Sequence, residues 1–97
     1  MGEFGVHDVE HIDETTIVIG RCYKGPLAVG DTFLSVISLG PTGDRLDSQP
    51  VKLKIQEMIA YGREMDQIDE GLTAKLRLAG EGGELVRQQS VLSTSSA

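Results

Sequence analysis

The chain is short of most things that would announce a chemistry. It has one cysteine, Cys22, among 97 residues, so no internal disulfide and no cysteine-built zinc site can form. It has no tryptophan and no asparagine, and the missing asparagine leaves no N-glycosylation sequon. No apolar run approaches the ~18 residues that a membrane helix needs, and the N-terminus MGEFGVHDVEH lacks the basic-then-apolar order of a secretory signal. Nor is there a Gly-x-x-x-x-Gly-Lys-Ser/Thr loop to cradle phosphate. The densest glycine cluster, Gly80-Glu81-Gly82-Gly83-Glu84, carries two carboxylates and reads as a turn. Positive charge is also scarce: 9 basic residues stand against 15 acidic ones, a net charge of −6. Such a field disfavours nonspecific nucleic-acid binding and makes another protein the default partner. These absences predict one cytoplasmic domain in a reducing compartment, with a core spanning about residues 4–94 and a frayed polar tail at 93–97.

What is present is β structure. Val51-Lys52-Leu53-Lys54-Ile55 and Leu72-Thr73-Ala74-Lys75-Leu76-Arg77-Leu78 are apolar at every second position, which sends one set of side chains to a core and the other to water. Further strands fit Gly5–His11, Thr15–Lys24, Asp31–Leu39 and Arg87–Thr94. Gly25-Pro26, Gly40-Pro41-Thr42-Gly43-Asp44, Asp69-Glu70-Gly71 and the 80–83 cluster punctuate them. Residues 56–67 show irregular apolar spacing and leave room for a turn or two of helix. Six short strands without crossover helices predict an all-β fold: a small closed six-stranded antiparallel β-barrel of Greek-key type.

Ordinary site chemistry finds little footing. His7 and His11 share a strand face beside Asp8, Glu10 and Asp13, but on an extended strand they stand ~13 Å apart, too far for one ion. Cys22 has Arg21 and Lys24 beside it, which could activate a thiol; the alternative is a small core residue. No triad is evident, and the carboxylates Asp66, Asp69 and Glu70 fall in a turn. The expectation is a noncatalytic protein without metal or cofactor.

Two surfaces stand out instead. If Val18, Gly20 and Cys22 face inward, then Ile17, Ile19, Arg21 and Tyr23 form an outward row richer in apolar area than a monomer needs. Lys52 and Lys54 on one strand, with Lys75 and Arg77 on another, would form a cationic ladder if those strands are neighbours. That face suits RNA phosphate or an acidic protein.

The stretch GRCYKGPLAVGD resembles the β-barrel domain that follows the GTPase domain in translational GTPases, the second domain of elongation factor Tu and its initiation-factor relatives. Gly20-Arg21-Cys22, Lys24-Gly25 and Val29-Gly30-Asp31 carry the likeness, with Gly25 and Gly30 expected to turn the chain between two strands. The likeness also implies a small core residue at Cys22. Gln56-Glu57-Met58-Ile59, Asp69-Glu70-Gly71, Leu78-Ala79-Gly80 and Val91-Leu92 continue it in order from about Val6 to Leu92. The resemblance implies the translation-protein barrel, and it implies docking on a ribosome, RNA or a translation factor. Glu57 falls at the family's glutamate that holds the aminoacylated tRNA end. Ala60 replaces that site's arginine, Thr73 its asparagine, and Gln88-Gln89 a closing arginine-glycine step. With no phosphate loop the chain is not itself a GTPase. It is read either as a free-standing barrel or as a segment of a longer protein. The rival expectation is a reused scaffold that binds a protein outside translation, neutralises a toxin, or self-associates.

Overall fold

A computed structural model describes residues 2–96. Nine strands follow one another among them: β1 (Glu3–Ile12), β2 (Thr15–Lys24), β3 (Leu27–Ala28), β4 (Thr32–Leu39), β5 (Arg45–Ala60), β6 (Arg63–Met65), β7 (Gln67–Ile68), β8 (Thr73–Glu81) and β9 (Ser90–Ser93). A 3-10 turn, Gly83–Leu85, precedes the last strand, and among the described residues no helix is long and apolar enough to cross a membrane. The main sheet runs β4-β9-β1-β2-β8-β5, and β5 pairs again with β4. The sheet therefore closes on itself as a six-stranded ring, every pairing antiparallel. Closure removes the open edges that an all-β chain of this size would otherwise expose.

Alternation decides which side chains fill the ring. β2 turns Thr16, Val18, Gly20 and Cys22 inward, and β8 does the same with Ala74, Leu76 and Leu78. Phe4, Phe33, Leu53, Ile55, Met58 and Leu92 meet them at the centre, each at most 1% exposed. Burying a side chain of this size stabilises by about 1.5–3 kcal/mol relative to leaving it in water.

Residues 56–67 differ from their expected reading. They hold no helix: β5 continues through them to Ala60, turns at Tyr61-Gly62 and returns as β6. Tyr61 (φ 55°) and Gly62 (φ 70°) both have positive φ, the signature of a two-residue type I′ hairpin. The irregular spacing comes from a bulge between Ile55 and Glu57, where an extra residue shifts the register against β8. Ile55 and Met58 both face inward although they stand three apart.

β5 also begins earlier than alternation suggests. Its first six residues are all exposed and pair only with β4, forming with it the β4–β5 arm. In the 93–97 stretch, hydrogen bonds reach as far as Ser95. Ser93 belongs to β9, the Thr94 N–H donates to the Gly2 carbonyl at 3.0 Å, and the Ser35 hydroxyl donates to the Ser95 carbonyl at 2.7 Å. Ala97 lies outside the described residues.

The two turn glycines act differently. Gly30 sits at φ 99°, where L side chains are strained, with nothing near its missing β-carbon. At Gly25 a β-carbon would stand 2.8 Å from the Glu70 amide nitrogen, so close approach is what excludes a side chain there.

Candidate functional site: an outward wall of four strands

β2 lies between β1 and β8, and β8 lies between β2 and β5. Their outward side chains therefore form one continuous surface, a curved wall carried by four of the ring's six strands. Register sets the rows: Glu10, Ile17, Arg77 and Glu57 lie side by side in one, and Asp8, Ile19, Lys75 and Ile59 in the next. A third row places Gly5, Arg21 and Thr73 together. Sequence reasoning treats the isoleucine row and the cationic ladder as separate candidates; the barrel makes them adjacent columns of a single surface.

Ile19 is 43% exposed and Tyr23 42%, while Ile17 is half-buried. Ile17 and Ile19, with Asp8, Val9, Glu10 and Lys75, line a shallow depression of about 270 Å³. The N-terminal segment does not cover this column, because Phe4 and Val6 point into the core. Arg21 donates from Nε to the Gly71 carbonyl at 3.2 Å and so braces the loop before β8. The Tyr23 ring lies across Gly5, whose absent β-carbon leaves it room.

The cationic ladder is interrupted. β5 and β8 are neighbours, as it requires, but Glu81 stands opposite Lys52 and Glu57 opposite Arg77. Arg77 Nη2 lies 3.8 Å from Glu57 Oε2 in a partly exposed ion pair. Only Lys54, opposite Ala79, and Lys75, opposite Ile59, keep uncharged neighbours on that strand pair. Alternating signs create a patterned surface, not a uniform positive field.

The positions raised by family likeness do not share one face. Glu57 is half-buried beside Arg77, Ala60 is buried, and Thr73 is exposed opposite Arg21. Cys22 is 1% exposed. Burial pushes its thiol pKa up, and the nearby Glu70 and Asp69 carboxylates push the same way, against the activation that Arg21 and Lys24 suggest in sequence. His11 Nε2 lies 2.8 Å from the Gly83 carbonyl, and His7 is exposed. Among the described residues, no three His, Cys, Asp or Glu side chains cluster as metal ligands.

One interaction had no signal in the sequence. Glu3 is buried and accepts two hydrogen bonds from Arg45, whose guanidinium reaches it from the β4–β5 arm. The partners are 42 residues apart, and no local pattern joins them.

Comparison with solved structures places this architecture. The chain superposes on translation elongation factor SelB from Methanococcus maripaludis with a TM-score of 0.71 and 16% identity, covering 94% of this chain and 18% of that one. The same factor bound to the GTP analogue GppNHp gives the same values. A bacterial selenocysteine-specific elongation factor, EF-Sec, matches at a TM-score of 0.60 and 19% identity over 94% of this chain and 14% of its own. The barrel has a translation-factor fold. No family model and no curated protein matches the chain by sequence. The translation-factor barrel described here thus spans less than a fifth of the factors it resembles. At this identity the likeness is one of fold, and function has to be argued from the wall itself.

Proposed function

We propose that this translation-factor-type barrel is a noncatalytic binding module of the cytoplasm, that its working surface is the wall built from β1, β2, β8 and β5, and that its partner is a protein. The observation that carries the reading is the column of half-buried Ile17 and exposed Ile19 set directly against Lys75 and Arg77. Apolar residues framed by charge suit a protein interface, with Arg21 and Tyr23 as the side chains best able to anchor one. Glu57 and Glu81 among the cations, and a net charge of −6, weigh against a phosphate backbone as the ligand. The buried, unactivated thiol of Cys22 offers no nucleophile.

Capture from native lysate with and without ribonuclease tests this. A protein retained after ribonuclease and lost with Ile19→Asp is the expected result. Capture of ribosomal material that vanishes with ribonuclease would overturn it.

The likeness to elongation factors favours a second reading, docking on the ribosome, RNA or a translation factor through Lys52, Lys54, Lys75 and Arg77. Binding that falls steeply with salt, and falls further with Lys54→Glu, would select it. The tRNA-end role of Glu57 is not carried over, because Ala60 and Thr73 replace its companions and Arg77 pairs with it.

A further inference from the structure

The charges on the wall are sorted by strand. Asp8 and Glu10 on β1 lie on one side of the Ile17–Ile19 column, and Lys75 and Arg77 on β8 lie on the other. Each acid shares a row with one cation: Asp8 with Lys75 across Ile19, and Glu10 with Arg77 across Ile17. Members of a row stand two strand spacings apart, roughly 10 Å, with an isoleucine between them. The only ion pairs among the described residues are Glu3–Arg45 and Glu57–Arg77, so Asp8, Glu10 and Lys75 have no opposite charge in contact. Asp8 does accept a hydrogen bond from Gln88 Nε2 at 3.0 Å on Oδ1, which leaves Oδ2 available.

In these two rows the arrangement is self-complementary; Arg21, next along β2, lies on the same axis and is tied aside to the Gly71 carbonyl. A two-fold axis along β2, lying in the plane of contact, exchanges the left and right sides of the wall and leaves the rows in place. Ile17 and Ile19 of one copy then meet Ile17 and Ile19 of the other. The acidic β1 rail lies over the cationic β8 rail, Asp8 facing Lys75 and Glu10 facing Arg77, and each contact occurs twice. We infer that the partner of this wall is a second copy of the chain, bound as an isologous dimer about such an axis. The inference rests on reading the wall as a binding surface and names its occupant. Four strands span only roughly 15–20 Å, so the buried area falls short of the roughly 800 Å² per partner of a standard interface, and the dimer is weak and salt-sensitive.

Sedimentation velocity on the purified chain, from about 10 µM to about 1 mM, tests the inference. The wild type is expected to dimerise over that range. Asp8→Lys and Lys75→Glu should each weaken the dimer by at least about tenfold, because each faces like charge on like twice. Mixed together, those two variants should form a heterodimer. The lysine introduced by Asp8→Lys in one copy then faces the glutamate introduced by Lys75→Glu in the other, and the two unchanged side chains, Lys75 of the first and Asp8 of the second, also meet. Circular dichroism of each variant establishes that it is folded before mixing. A wild type that stays monomeric at about 1 mM, dimers indifferent to both substitutions, or variants that fail to pair when mixed would each overturn the proposal. If the chain is monomeric yet lysate capture of another protein is still lost with Ile19→Asp, the self-association falls and the wall remains a binding surface for a different partner.

Discussion

Arg45 holds Glu3 with both arms of its guanidinium, Nη2 2.7 Å from Oε1 and Nη1 3.1 Å from Oε2. The carboxylate is 5% exposed and the arginine 50%, so one end of the pair is inside the protein and the other at its surface. The contact fastens the β4–β5 arm to the first strand of the barrel. Truncating the arginine leaves a buried carboxylate without its counterion, which costs more than losing a surface pair. Arg45→Ala is expected to destabilise the fold by about 2 kcal/mol, a fall in Tm of roughly 8–16 °C for a domain of this size. Thermal and urea melts check this. Arg45→Lys keeps the charge without the two-pronged geometry and should fall between.

The same pair predicts acid sensitivity. Hydrogen bonds from Arg45 hold the Glu3 carboxyl below its ordinary value of 4.5, against the opposing effect of burial and with help from the Arg45 and Lys24 charges. A lowered carboxylate pKa contributes stability that is present above the unfolded value and is lost as pH falls through the folded one. Stability measured from about pH 6 down to about pH 3 should decline, and Glu3→Gln should flatten the part of that decline below about pH 4.5.

Cys22 should behave as a core residue. Its thiol is buried and its pKa raised, so an aromatic disulfide reagent at about pH 8 should label the native protein far more slowly than the urea-unfolded chain. Equal rates would mean that the β2 strand opens readily.

Substitutions on the wall should separate binding from folding. Ile19 and Tyr23 are more than two-fifths exposed. Ile19→Asp and Tyr23→Lys should therefore cost no more than about 1–2 kcal/mol and leave the chain folded, yet weaken any partner that uses the wall. Melting curves beside binding curves of the same samples decide it.

The bulge in β5 offers a sharper structural test. Gln56 lies where β5 slips by one residue against β8, and Ile55 and Met58 both enter the core only because of that slip. Deleting Gln56 makes the chain alternate strictly and joins the Ile55–Leu78 and Glu57–Arg77 pairs into one unbroken register, with Ile55 and Met58 both still facing inward. Urea melts should therefore show a change of no more than about 1 kcal/mol; a loss of more than about 3 kcal/mol would show that the ring closes only with the bend that the bulge supplies.

Alternation alone determined much of this protein. Val51–Ile55 and Leu72–Leu78 announce half-buried strands because every second side chain must leave water. In β2, where Ile17, Val18 and Ile19 are apolar on both faces, the period leaves two registers open, and only the structure fixes Val18, Gly20 and Cys22 as the inward set. The ordered motifs around Gly20–Asp31 and Asp69–Gly80 were enough to point to the translation-factor barrel. What alternation cannot carry is a change of phase. The bulges after Val6 and Ile55 break the period, so the second half of β5 reads as irregular although it is strand. Neighbourhood across the ring is equally hidden, since residues far apart in the chain acquire their partners only on closure. Glu3 meets Arg45, Glu57 interrupts the cations beside Arg77, and the acidic and basic rails come to flank one isoleucine column. Local sequence sets which side chains share a face, because that depends on backbone pleat. The tertiary structure decides which charges share a wall, because that depends on strand order and register.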